Sequence, residues 1–300
     1  MLVACSGGAD SLALLAAAVF ETRRSAHTVV GLTVDHGLQA GSAEQTSRVV
    51  EQMQLLGADA RAVRVEVGTT GGPEAAARAA RYEALDAAAE ADGADVVLLG
   101  HTRDDQAETV LLGLARGSGA RSLAGMAPRQ GRYRRPLLGL SRDDTRTACA
   151  AEGLTPWDDP HNEDPAFARV RVRRSVLPVL ERELGPGLTG ALARTARLLR
   201  DDADALDGWA EGVRAATTDE SGGLDADRLA REPAAVRRRV LRRTALDAGA
   251  PATELFAVHV DAMDELLTHW RGQVGVDLPG RLSMRRQGGS LRIAPKPVAG

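Results

Sequence analysis

The chain has 300 residues, 44% of them apolar, and a formal net charge of -3, so disorder is excluded and two cores of roughly 100–200 residues suit the length better than one. No apolar run approaches the ~20 residues needed to cross a bilayer, and the N-terminus does not resemble a secretion signal; a cytoplasmic protein without a membrane partner is expected. The only cysteines, Cys5 and Cys149, form no CxxC pair, which excludes a zinc knuckle or an iron–sulfur cluster ligated by cysteines of one chain.

Strand and helix patterns alternate through the first half. Leu2–Cys5 reads as a buried strand and Leu12–Arg23 as a helix. Strands at Thr28–Val34 and Ala60–Val67 flank a helix at Ser42–Leu56. Pro73 suits the first turn of a helix running to about Ala91. Val96–Leu99 is a fourth strand, followed by a helix from about Asp104 to Arg116. This alternation predicts an α/β fold with a doubly wound parallel sheet, and such sheets bind ligands beyond the carboxyl ends of their strands. From Arg116 onward, Gly117, Gly119, Gly125, Gly131 and Pro136 punctuate loops, and an arginine-rich stretch spans Arg169–Leu180. Helical period returns at Leu188–Gly212 and Asp225–Ala248, and Val274–Ile293 reads as a hairpin. The expected division falls near residue 185: a catalytic domain over 1–185 and a smaller, mainly helical domain over 186–300.

Charge is uneven along the chain. Residues 1–110 hold eight arginines against sixteen acidic residues, a balance of -8, which leaves +5 for the remainder. The acidic half suits metal ions and an amine, and the basic half suits phosphate. Lys296 is the only lysine, a bias that a GC-rich genome also produces. Arg228–Arg243 carries seven arginines and one acid, Glu232. Arg238, Arg239 and Arg242 are the candidates there for tracking an RNA backbone, against the alternative of a solvated helix face.

The most informative motif is Ser6-Gly7-Gly8-Ala9-Asp10-Ser11, set between a strand and a helix. Its glycines let backbone N–H groups converge on an anion in front of a helix N-terminus. Ser6 and Ser11 add hydroxyls, and Asp10 adds a carboxylate that meets phosphate through Mg²⁺. The Gly-Lys-Ser/Thr element of a Walker A loop is missing. Asp35-His36-Gly37-Leu38 ends the second strand, where an adenine or ribose would lie. Gly100-His101 follows the fourth strand, with Asp104 placed to cap the next helix and Asp105 and Glu108 on one face of it. Two carboxylates there suit Mg²⁺ or a substrate ammonium. Glu74, Arg78 and Arg81 fit either a site or a solvated face with an ion pair.

These blocks, with Arg135–Leu138 (RPLL), the segment WDDPHNED from Trp157 and the run Arg169-Val-Arg-Val-Arg173, resemble the tRNA(Ile)-lysidine synthase family of N-type ATP pyrophosphatases. The resemblance is specific to about residue 180. It departs at Gln39, at Thr102 where a second histidine is common, and at the Arg-Val-Arg-Val-Arg run. Family members usually carry a segment ahead of the loop. The resemblance implies adenylation by ATP of the C2 oxygen of the wobble cytidine in a CAU-anticodon tRNA(Ile), release of pyrophosphate, and attack by the ε-amine of free L-lysine with loss of AMP. It assigns Ser6, Gly7, Gly8, Ala9, Asp10, Ser11, His36, Gly100 and His101 to ATP, and Asp10 and Asp105 to Mg²⁺. Asp105 and Glu108 go to lysine, Arg171 and Arg173 to phosphates or tRNA, and Asp10, Asp35, Asp105 and Glu108 to catalysis. A homodimer is compatible with these features. Two other readings stay open: a tRNA thiolase of the same superfamily, which would need cysteines for sulfur transfer, and a non-enzymatic ATP-binding module.

Overall fold

The structure, a computed structural model, describes residues 1–37, 41–68, 72–117 and 119–296, without the side chains of Pro73, Glu74 and His161. Leu38, Gln39 and the Glu74 side chain of the motifs above lie outside what it describes. Backbone contacts divide the chain into two compact units, Met1–Arg200 and Asp201–Gly300.

The first unit runs β1 (Leu2–Ala4), α1 (Ala9–Thr22), β2 (Val30–Asp35), α2 (Ser42–Leu55), β3 (Asp59–Arg64), α3 (Pro73–Ala91), β4 (Val97–Leu99), α4 (Arg103–Ala115), α5 (Ala120–Leu123), β5 (Arg129–Gln130), β6 (Tyr133–Arg134) and α6 (Arg142–Ala151). The sheet order is β3-β2-β1-β4-β6-β5. Every neighbouring pair is parallel except β5 with β6. Alternation along β1 explains the double winding. Val3 turns into one core with Leu12, Leu15, Val49 and Met53 of α1 and α2, and Leu2 turns into a second core with Leu32, Leu85 of α3, and Val97. Each fully buried aliphatic side chain contributes about 1.5–3 kcal/mol, so a strand with apolar residues on both sides is stable only with helices on both faces.

The arginine-rich stretch Arg169–Leu180 folds as an interrupted helix. α7 (Ala168–Arg171) widens into a single π-helical turn, Val172–Val176, before α8 (Leu177–Leu184). Pro178 stands at the start of α8; it has no N–H to donate backward, and the wider turn precedes that gap. Gly185 closes α8, and α9 (Leu188–Thr217) continues across the division at residue 200.

In the second unit, β7 (Leu224–Asp225), α10 (Ala226–Ala230), α11 (Ala234–Asp247), α12 (Ala257–Thr268), β8 (Val276–Leu278), β9 (Leu282–Gln287) and β10 (Ser290–Pro295) follow. Helices and an antiparallel sheet of order β7-β10-β9-β8 share one core around Leu229, Val240, Leu241, Met263, Leu266 and Met284. The single helical segment expected over Asp225–Ala248 is two helices, because Pro233 cannot continue α10 and instead caps α11. The hairpin expected near the C-terminus is β9–β10.

Gly100 sets how closely α1 approaches the end of β4. A Cβ there would sit 2.9 Å from the carbonyl oxygen of Asp10 and 3.1 Å from the Cα of Ser11, both backbone atoms that have no side-chain freedom to yield. Gly100→Ala should therefore destabilise the first unit by about 1–3 kcal/mol and lower its melting temperature by several degrees in calorimetry. A melting temperature equal to that of the parent would show that the two backbones can separate at no cost.

Candidate active site

The phosphate-type loop forms as its composition requires. Gly7 adopts a positive φ of 84°, where a Cβ would also strike Val49. Gly8 caps α1 with extended backbone and no side-chain bond, so the first N–H groups of the helix stay directed outward. Ser11 ties the loop from within: its Oγ accepts from the Ser6 N–H at 3.1 Å and donates to the Gly8 carbonyl at 2.9 Å. The Trp157 N–H donates to the Gly7 carbonyl at 2.9 Å, so the WDDP segment braces the loop from the side.

Carboxylates gather beyond the ends of β1 and β4. The N-cap of α4 is Thr102, not Asp104: the Thr102 N–H and Oγ1 donate to Asp105 at 2.9 and 3.1 Å in a capping box. Asp104 instead accepts from the Arg142 N–H at 2.9 Å. The other oxygen of Asp105 accepts from Arg142 at 3.1 Å. Glu108, one turn on, has 0% exposure. Its two oxygens accept from Arg173 at 2.6 and 3.1 Å, with Arg142 at 3.4 Å and Arg169 at 4.0 Å. Arg142 also lies 3.7 Å from Asp10, which accepts a short hydrogen bond from Thr145. One guanidinium on α6 thus joins the loop to the acidic block.

Burial raises the Asp10 carboxyl above the ordinary range, against the Thr145 bond and the Arg142 charge. Burial also acts to raise Asp105, but Arg142, the Thr102 N–H and His101 together hold it below that range. Asp35 accepts from the Gly37 N–H at 2.9 Å and turns the chain at the end of β2. His36 and His101 both carry a buried Nδ1 without a hydrogen-bond partner among the described residues, as do Arg81 and Arg135 at Nε. Burial lowers the pKa of His36, with the Arg81 charge adding to it. Burial takes His101 down to about 4, with Asp105 opposing and Arg135 and Arg81 reinforcing. Arg81 is therefore part of the site's wall, not of a solvated face, and only Arg78 of that pair is exposed.

The structure brings the Ser6–Ser11 loop, Asp105, Glu108 and Arg173 together. It does not bring Arg171, whose guanidinium donates to the carbonyls of Pro165 and Ala166 at 2.6 and 2.8 Å. In the second unit Arg238 pairs with Asp261 and Asp264, Arg239 with Asp207, and Arg242 donates to the Leu255 carbonyl. Arg142 and Thr145 escaped the sequence reading. Ser141-Arg-Asp-Asp144 was the available signal, a capping box that starts α6. Among the described residues, no cluster of three or more His, Cys, Asp or Glu side chains could hold a metal ion unaided. Asp10 and Asp105 nonetheless suit Mg²⁺ brought by a triphosphate, since that ion commonly takes one or two carboxylates and completes its shell with phosphate and water.

A glycine-bearing loop ahead of α1, with carboxylates at the neighbouring strand end, defines a PP-loop protein, and the PP-loop domain family matches residues 1–180. The TilS substrate binding domain matches residues 224–292. A tRNA(Ile)-lysidine synthase of Streptomyces coelicolor is 58% identical over 297 residues, covering 98% of this chain and 84% of the relative. One from Thermobifida fusca is 58% identical over 295 residues, covering 98% and 91%. Among solved structures, the U34-tRNA thiolase NcsA from Methanococcus maripaludis, with its [4Fe-4S] cluster, superposes with a TM-score of 0.56 at 19% identity, covering 66% of this chain and 72% of that one; this likeness concerns the fold. The chain belongs to the tRNA(Ile)-lysidine synthase family.

His101 makes the site acid-sensitive. Its folded pKa of about 4 lies below the ordinary imidazole value of 6.5, so the folded protein favours the neutral ring. Between those values the unfolded chain binds a proton that the folded one does not, and stability falls as pH drops through that window. His101→Asn should flatten the fall in melting temperature between pH 6.5 and 4; identical slopes for variant and parent would refute this.

Proposed function

We propose that this chain is an ATP-dependent ligase that joins free L-lysine to C2 of the wobble cytidine of a CAU-anticodon tRNA(Ile), releasing AMP and pyrophosphate, and that it works in the cytoplasm. The observation that carries the reading is the arginine bridge from Asp10 to Asp105 and Glu108, which makes the ATP loop and the amine-type carboxylates one site. The relatives' shared name supplies the substrate.

In this reading the N–H groups at the start of α1 and the Ser6 and Ser11 hydroxyls hold the β and γ phosphates. The C2 oxygen of the cytidine attacks the α-phosphorus, the α–β bond breaks, and pyrophosphate leaves. Negative charge developing there is met by fixed dipoles and by the arginines of the site. Asp10 and Asp105 would hold Mg²⁺, which would supply charge neutralisation. His36 and His101, neutral and each with a nitrogen that has no partner among the described residues, would hydrogen-bond the nucleotide from the strand ends. The lysine ammonium enters beside Asp105 and Glu108 and loses a proton to a carboxylate. Its amine attacks C2, and the C2–O bond breaks as AMP departs. Asp35 acts by holding His36 through the turn it makes. Arg173, fixed on Glu108, and Arg171, at the outer end of the same segment, approach phosphate. Arg238, Arg239 and Arg242, held by Asp264, Asp207 and the Leu255 carbonyl, offer their remaining N–H groups to the tRNA backbone from the domain spanning 186–300, and a homodimer is compatible with both. The thiolase alternative is disfavoured because Cys5 and Cys149 are buried, free thiols, each raised in pKa by that burial, which makes a poor nucleophile.

The test is incubation of the protein with ATP, labelled lysine and the CAU-anticodon tRNA(Ile), followed by nucleoside analysis. Label should appear in one modified cytidine and be lost in Asp10→Ala and Ser11→Ala. A thiolated nucleoside, or pyrophosphate release indifferent to tRNA and lysine, would overturn the reading. Glu108→Ala leaves Arg173 and Arg142 without their buried counter-charge and should cost about 3–5 kcal/mol of stability. The conservative Glu108→Gln should keep more of the fold while raising the lysine concentration needed for half-maximal rate; an unchanged lysine requirement in a folded Glu108→Gln would remove Glu108 from the amine site. Replacing Arg238, Arg239 and Arg242 by glutamine should flatten the salt dependence of tRNA binding, and an unaltered slope would take this helix off the RNA.

A further inference from the structure

The second unit holds a groove of about 450 Å³ between the last three turns of α9 and the end of α10 with the turn that follows it, lined by Gly208, Trp209, Gly212, Arg228, Arg231 and Glu232 among others. Its lining is chemically mixed in a definite way. Trp209 is 51% exposed, and an indole lying half in solvent offers a flat π surface. Arg228 is anchored, because its Nη1 donates to the Ala216 carbonyl at 2.7 Å. The side chains of Arg231 and Glu232 have no hydrogen-bond or ion-pair partner among the described residues. Almost all the other arginines of this segment are occupied: Arg237 and Arg238 by Asp264, Arg239 by Asp207, Arg242 by a carbonyl and Arg243 by Asp247.

Helix propensity adds a second, independent observation. Gly208 and Gly212 lie four apart in the interior of α9, on one side of the helix. A glycine there costs roughly 1 kcal/mol relative to alanine. A Cβ at either position would meet nothing within 4 Å, so no packing contact within this unit requires a glycine. Together they keep the floor of the groove low beside Trp209.

The geometry points to this groove as a subsite for one unstacked nucleotide of RNA: the base lies on Trp209, Glu232 accepts from an N–H on the base edge, and Arg228 and Arg231 take the flanking phosphate. The volume is within the range of about 300–1,000 Å³ usual for small-ligand clefts. Aromatic stacking beside arginine is how proteins grip unpaired nucleotides, and a carboxylate among the arginines argues for a base edge and against a bare polyanion. The inference rests on the tRNA reading proposed above and deepens it, since it names a contact outside the ATP site.

Two measurements test it. Affinity for the CAU-anticodon tRNA should fall about tenfold in Trp209→Ala, following the usual stacking contribution per base, and should stay near the parent in Trp209→Phe. Gly212→Leu, which fills the groove, should match the alanine variant. Independently, a single-stranded hexaribonucleotide should quench tryptophan emission of the parent protein, with that quench missing in Trp209→Phe. Unchanged affinity in both Trp209→Ala and Gly212→Leu, or a quench that survives in Trp209→Phe, would overturn the inference while labelled-lysine transfer by the parent keeps the function intact. Absence of lysine transfer with a Trp209-dependent quench would do the reverse. If Trp209→Ala does not fold, the Gly212→Leu and quenching results decide.

Discussion

A carboxylate with no access to water must be neutralised where it lies, and Glu108 is such a group. Ionised carboxylates left alone in a protein interior are expensive by several kcal/mol, so its position dictates where guanidinium groups must be. Arg173 comes from the π turn before α8, Arg142 from the start of α6 and Arg169 from α7. Three segments that follow the sheet in the chain are thereby drawn to the carboxyl ends of its strands. Arg142 then reaches Asp10, and the loop ahead of α1 becomes part of the same network. The active site is held together by charge at a place where the sheet itself supplies only strand ends.

That network separates two carboxylates that are chemically the same. Asp10, with burial dominating, sits above the ordinary carboxylate range, and Asp105, with arginine and N–H partners prevailing, sits below it. Pairs pushed apart in this manner divide protonation between them. Asp105 stays an anion able to receive a cation, and Asp10 is the more ready of the two to hold a proton or exchange it for a metal ion.

The parallel sheet and the loop were legible because both are written locally. Apolar runs on β1 and β4 mark strands covered on both faces, and Ser6–Ser11 combines glycine freedom with a helix start. The pairing of Asp105 with Glu108 was also readable, since helical period alone puts them on one face. What escaped was everything set by long-range packing. Arg142 stands 34 positions from Glu108, and only the fold shows them in contact. The cap of α4 was misassigned to Asp104 because Thr102 and Asp105 make a reciprocal box that outcompetes it. Arg81 fitted a site and a solvated face equally well by spacing, and only the packing of the helix turns it inward. In the second unit, Pro233 split what hydrophobic period suggested was continuous.

The arginine bias has a chemical consequence. Among the described residues, every cationic side chain that touches Asp10, Asp105 or Glu108 is a guanidinium, and the first 295 residues hold no lysine at all. A guanidinium does not surrender its proton in a protein, whereas a buried ε-amine readily does. A site that makes a base carbon electrophilic exposes its own walls to the same chemistry as its substrate. Walls built of arginine offer no competing amine, so the activated carbon waits for the free amino acid and the enzyme escapes becoming its own product.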